Sequence, residues 1–267
     1  MRENIIYALI ATVGTWLVTA LGAATVILFR KPGRRFFNIM LGFASGVMIA
    51  ASFWSLLEPA VRIAESQHRI PPYLVVTTGF IAGAFFIWLS EKTVNTVKKR
   101  TNTNKETDDS VFNRIFMLIL SITLHNVPEG LAVGVAFGAL SGGKHTTEGF
   151  MAAVSVAVGI AIQNFPEGAA VSLPLRREGY SRTKSFFIGQ ASGMVEPIAG
   201  VIGAALVIYA NKIMPFALSF AAGAMILVSV HELIPECQQN RLKEPYIVTS
   251  GIISGFAVMT LLDVMLG

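Results

Sequence analysis

The chain has little charge, little cysteine and little histidine. Asp, Glu, Lys and Arg make up 14% of its 267 residues, against 53% hydrophobic residues and a mean hydropathy of +0.61. A soluble domain carries about 25% charge, so a separate water-soluble domain is excluded. A single cysteine, Cys237, excludes an internal disulfide and a cysteine-rich metal site. Of the four histidines, His68 and His145 fall between apolar runs and read as solvated. The longest polar stretch, 91–110, has no histidine, which excludes a metal-buffering tract; without periodicity it reads as a flexible loop.

What the chain does have is apolar length. A spanning helix needs about 20 apolar residues. Eight segments reach that length: 5–29, 36–57, 73–90, 111–139, 148–173, 184–209, 213–234 and 246–266. Together they use nearly the whole chain, so 1–267 reads as one all-α polytopic membrane domain. The first run is longer than the roughly 7–15 residues of a signal-peptide core. Arg30, Lys31, Arg34 and Arg35 follow it directly, so it reads as the first spanning helix. Sixteen basic residues fall on one face of this topology and five on the other. The positive-inside bias places both termini outside and the 91–110 loop in the cytoplasm; the expected location is the cell's inner membrane. The sequence pI near 9.5 then reflects topology, and nucleic acid is excluded as a partner.

One pattern inside these runs is written twice, 38 residues apart: His125-Asn126-Val127-Pro128-Glu129-Gly130 and Gln163-Asn164-Phe165-Pro166-Glu167-Gly168. His125 and Glu129 are four residues apart, as are Gln163 and Glu167, which puts each pair on one helical face about 6 Å apart along the axis. Two such helices side by side offer an imidazole, an amide oxygen and two carboxylates, a set suited to a borderline divalent ion such as zinc. Pro128 and Pro166 cannot donate to the carbonyls four residues earlier, which predicts kinks and broken backbone lining a cavity. Glu196, next to Pro197, adds a third carboxylate in a sixth apolar run. Each membrane-embedded carboxylate costs about 2.5–3.5 kcal/mol even on lenient insertion scales, so three together imply cations or protons between them. Small residues crowd the runs, as in Gly42-Phe43-Ala44-Ser45-Gly46, and predict close helix packing.

These motifs resemble the signature of the ZIP (Zrt/Irt-like protein) family of divalent metal transporters, in its prokaryotic branch. The resemblance implies an inverted repeat of helices 1–3 and 6–8 around helices 4 and 5, alternating access, and a homodimer. By position it implies a primary metal site of His125, Glu129, Gln163 and Glu167. An adjacent second site would use Asn126, Asn164 and Glu196, sharing Glu129 and Glu167. It further implies an exit route past His231, Glu232 and Met48, with Ser55 facing the path. Two departures stand out: the histidine-rich loop of many eukaryotic members is missing, and Asn164 stands where some members carry aspartate. The implied activity is uptake of a divalent cation into the cytoplasm, zinc foremost, with Fe2+, Mn2+ and Cd2+ as further cargo, and no cofactor. The rival reading is a membrane-embedded metal-dependent hydrolase. It needs three protein ligands and an open water position on its zinc, yet no His-Glu-x-x-His motif exists: His231-Glu232-Leu233-Ile234-Pro235 fails at its last position. A metal sensor would need a soluble output domain, for which the chain has no room.

Overall fold

The computed structural model describes residues 2–28, 34–67, 70–101, 123, 126–142, 147–177, 179–209, 211–238 and 245–266. Among them there is helix and short connection, and no strand. We number the spans as follows. Helix α1 is Arg2–Leu28. Helix α2, 34–67, joins Arg34–Ala50, a π-helical segment Ala51–Leu57 and Glu58–Gln67. Helix α3 is Pro72–Thr101. Helix α4 is described over 126–138 and tightens into a 3-10 turn, Ala139–Gly142. Helix α5 is Thr147–Arg177. Helix α6, 182–209, joins Arg182–Ala191, a 3-10 turn Ser192–Met194 and Val195–Tyr209. Helix α7, 214–237, joins Met214–Val228, a π-helical segment Ser229–Leu233 and Ile234–Cys237. Helix α8 is Pro245–Leu266.

Seven of these are long and apolar enough to cross a membrane; the eighth run, 111–139, is described only in part. The protein is a multi-span membrane protein. Two boundaries differ from the sequence reading. Helix α2 continues beyond 57 through a polar extension, and α3 runs to Thr101, into the stretch read as loop. Residues 91–101 contain neither glycine nor proline, so nothing stops the α3 helix where its apolarity ends.

The proline effect also falls elsewhere than expected. Helical backbone runs on through Pro166 in α5. The departures from α geometry within α2, α6 and α7 lie beside Pro59, Pro197 and Pro235. Pro59 has no N–H for the Ser55 carbonyl and Pro235 has none for that of His231. In each case the turn widens: Glu58 donates its backbone N–H to the Phe53 carbonyl, and Ile234 donates to that of Ser229, both five residues back. Such π turns are rare and cluster at functional sites.

Close packing uses glycine reciprocally. A Cβ at Gly83 of α3 would overlap the Phe220 carbonyl of α7, and one at Gly223 of α7 would overlap that of Phe80 in α3. Gly46 of α2 and Gly255 of α8 meet the carbonyls of Ile252 and Phe43 in the same way. Thus α3 pairs with α7 as α8 pairs with α2, and the π segments sit in α2 and α7. That correspondence is what an inverted repeat of helices 1–3 and 6–8 requires. The remaining helices, α1, α4, α5 and α6, pack on one another.

The α5–α6 connection is tight. Gly179 takes φ +94, its N–H reaches the Arg176 carbonyl, and Tyr180 donates to Leu175. This pair closes the helix as a Schellman motif, which needs a left-handed residue at that position. Ser181 then caps α6 by accepting from the Lys184 N–H at 3.2 Å.

Candidate functional site

The repeated motif places its side chains at the centre of the α1–α4–α5–α6 group. Asn126, Glu129, Gln163, Asn164 and Glu196 are fully buried, and Glu167 is 8% exposed. The motif glycines explain how neighbouring helices come so near. A Cβ at Gly130 would lie 2.8 Å from Glu196 Cα, and one at Gly168 would lie 2.9 Å from the Thr19 carbonyl carbon. In each copy the glutamate supplies a carboxylate, and the next residue lets a neighbouring backbone approach it.

The polar groups knit four helices together. Gln163 Nε2 donates to Glu129 Oε1 at 2.7 Å, joining α5 to α4. Asn164 Nδ2 lies 2.9 Å from both oxygens of Glu196 and 3.3 Å from the Thr15 carbonyl, joining α5 to α6 and α1. Asn126 Nδ2 donates to the Ser192 carbonyl at 3.0 Å. That carbonyl belongs to the 3-10 turn of α6 beside Pro197, so the irregular turn delivers both an acceptor and Glu196. Glu129, Glu167 and Glu196 lie near enough for their charges to act on one another.

The orientation of the amides is informative. Asn126, Gln163 and Asn164 each spend the NH2 group on a protein acceptor. Their oxygens, Asn126 Oδ1, Gln163 Oε1 and Asn164 Oδ1, are buried with no hydrogen-bond partner, and so is Glu129 Oε2. A buried acceptor left unpaired costs about 1–3 kcal/mol. Four of them on two adjoining helices form a set of oxygens suited to a cation. Among the described residues, no three His, Cys, Asp or Glu side chains gather as a metal-binding group, so a cation here would draw on the amides. His125 lies outside the described residues.

The remaining sequence candidates sit apart. Met48 is buried in the core of α2. Ser55, in the π segment of α2, donates to Asp263 Oδ1 of α8 at 2.7 Å. Both line a cavity of about 680 Å³ at the end of the bundle that carries the α2–α3, α4–α5 and α6–α7 connections, together with Glu58, Arg62 and Lys212. Its walls reach Val135 of α4 and Val156 of α5, about two turns short of Glu129 and Gln163. At the opposite end, His231 Nε2 of α7 approaches Glu91 Oε2 of α3 at 3.5 Å, and Glu232 is half-buried beside it. Cys237 is buried against Leu41 and Val248.

Sequence reasoning missed Thr15, Thr19, Asp263 and Glu91. The threonines stand at helical spacing with Thr12, within an otherwise apolar run, and all three are buried. Asp263 is the lone charged residue of the last run. An ionisable residue inside a spanning helix is itself a functional signal, so that aspartate was open to discovery.

The bundle defines a polytopic membrane protein with a cluster of buried, unpaired acceptor oxygens inside it. Comparison with known proteins agrees. A family model described as ZIP Zinc transporter matches residues 3–113 and 103–263. The chain is 37% identical to Zinc transporter ZIP11 of Homo sapiens, covering all of this chain and 99% of the relative. It is 32% identical to Zinc transporter GufA of Myxococcus xanthus, covering 97% and 98%. It is also 32% identical to Zinc transporter ZIPB of Bordetella bronchiseptica, covering 100% and 83%. The chain belongs to the ZIP zinc transporter family. That family is one of transporters rather than enzymes, and the hydrolase reading finds no support.

Proposed function

We propose that this protein carries zinc into the cytoplasm by alternating access, through a site formed by His125, Glu129, Gln163 and Glu167. The observation that carries the reading is the set of buried, unpartnered oxygens on α4 and α5, on two helices that bear the same motif. Glu129 Oε2 and Gln163 Oε1, with Glu167 beside them, would replace the water shell of the ion. His125 would add the nitrogen that favours zinc over harder cations. The set has no thiolate, so binding is reversible, as conduction requires. Iron(II), manganese and cadmium suit the same donors. The family and the names of the relatives given above support zinc as cargo.

The basic loops put the 680 Å³ cavity on the outside, where Ser55 and Asp263 meet the incoming ion. His231, Glu232 and Met48 then belong to the cytoplasmic half of the route. The family likeness supports a homodimer in the inner membrane with both termini outside. In cells expressing Glu167→Ala, we expect zinc uptake to fall to the level of cells without the transporter, with the variant still present in the membrane fraction. Uptake at the unmodified rate by an inserted variant would remove Glu167 from the site.

A further inference from the structure

Glu196 is tied down from α1, and the ties occupy both of its oxygens. Thr15 Oγ1 donates to Oε2 and Thr19 Oγ1 lies 3.4 Å from Oε1. From the other side Asn164 Nδ2 meets both oxygens at 2.9 Å. All four residues are buried, none more than 1% exposed. Each threonine hydroxyl also lies near a backbone carbonyl of its own helix, Thr15 at 2.9 Å from Thr12 and Thr19 at 3.3 Å from Thr15. Gly193, at the 3-10 turn, keeps the space open: a Cβ there would lie 3.1 Å from both Glu196 Oε1 and Thr19 Oγ1.

We propose that Thr15 and Thr19 are positioning residues that hold Glu196 as a fixed countercharge and close the second cation position. The inference rests on the reading that one ion binds between Glu129, Gln163 and Glu167. A carboxylate that ligates a metal must present a free lone pair. In this chain three protein donors take the place of the metal, two hydroxyls and one amide. Glu196 thereby balances the charge of the first ion without touching it. Glu129 and Gln163, whose outer oxygens have no partner, remain the groups open to a cation. A Thr→Val exchange keeps the shape of the side chain and removes the hydroxyl, so it frees acceptor sites on Glu196 without opening a cavity.

The test uses full-length purified protein titrated with 113Cd2+, read by equilibrium stoichiometry and by 113Cd NMR. The unmodified protein should bind one ion and show one resonance, and Glu129→Ala should remove it; no binding by the unmodified protein would overturn the underlying reading and this proposal with it. Thr15→Val/Thr19→Val should bind a second ion with a second resonance, and adding Glu196→Gln should abolish only that second resonance. Thr15→Ser/Thr19→Ser restores the hydroxyls and should return one ion and one resonance. The single variant Thr15→Val provides the same readout with less disturbance of α1, and should also gain the second resonance. One ion in both valine variants, with the first resonance unmoved, would overturn the proposal. So would two ions in the unmodified protein, the second lost in Glu196→Gln.

Discussion

With Glu129, Glu167 and Glu196 ionised, one divalent ion leaves the centre at a charge of −1 and two leave it at +1. Net positive charge is unfavourable in a low-dielectric site, and an amide oxygen binds a cation less strongly than a carboxylate. Asn164 adds a second effect, because its NH2 lies against both Glu196 oxygens. Asn164→Asp exchanges that donor for a negative group and brings the two-ion charge to zero. We expect the variant to gain a second ion in metal titration; an unchanged stoichiometry would show that charge at this position does not set occupancy. At this scale the four-residue spacing of each motif indicates which side chains share a face, and the structure brings Glu129 and Gln163 within hydrogen-bond reach. The threonine contacts were not legible in the sequence, since a hydroxyl in an apolar run most often serves its own helix, as Thr12 does with the Ala8 carbonyl at 2.7 Å. Only the packing of α1 on α6 shows that Thr15 has a distant partner.

The elements obey two rules that sequence shows unequally. Apolar length located the spans well, yet the ends of α2 and α3 lie beyond the apolar stretch because helix propensity, not hydropathy, decides where a helix stops. The π turns were hidden because one widened turn leaves the apolar pattern nearly intact; the prolines that cause them were visible but their consequence was not. Those turns place Ser55 and His231, each four residues before a proline, opposite Asp263 and Glu91, each eight residues beyond a contact glycine of α8 or α3. The repeat thus sets one polar pair at each end of the bundle. The glycine contacts carry the tightest prediction. A side chain at Gly83 or Gly223 drives into a backbone carbonyl, where no rotamer change relieves the overlap. Overpacking alone costs about 1–3 kcal/mol, so Gly223→Val should lower the melting temperature of purified protein, while Gly14→Ala, which meets nothing within 4 Å, should leave it unchanged. Equal melting of both variants would contradict the α3–α7 register.

As a whole molecule the protein divides its helices into two groups. Helices α1, α4, α5 and α6 form one group around the unpaired oxygens of α4 and α5. Helices α2, α3, α7 and α8 pair through reciprocal glycines and carry the polar pairs at either end. The expected orientation rests on charge alone, because the positive-inside bias acts during insertion and leaves no trace in packing. A cysteine introduced at Thr103 in a Cys237→Ser background should therefore react with an impermeant thiol reagent in inverted vesicles and not in intact cells; labelling in intact cells would reverse the topology. The most direct test of the central claim is zinc flux into liposomes that contain the purified protein and a trapped zinc indicator. The account predicts time-dependent filling by the unmodified protein and none beyond protein-free vesicles for Glu129→Ala. Tight zinc binding without flux, or equal flux through the Glu129→Ala variant, would contradict it.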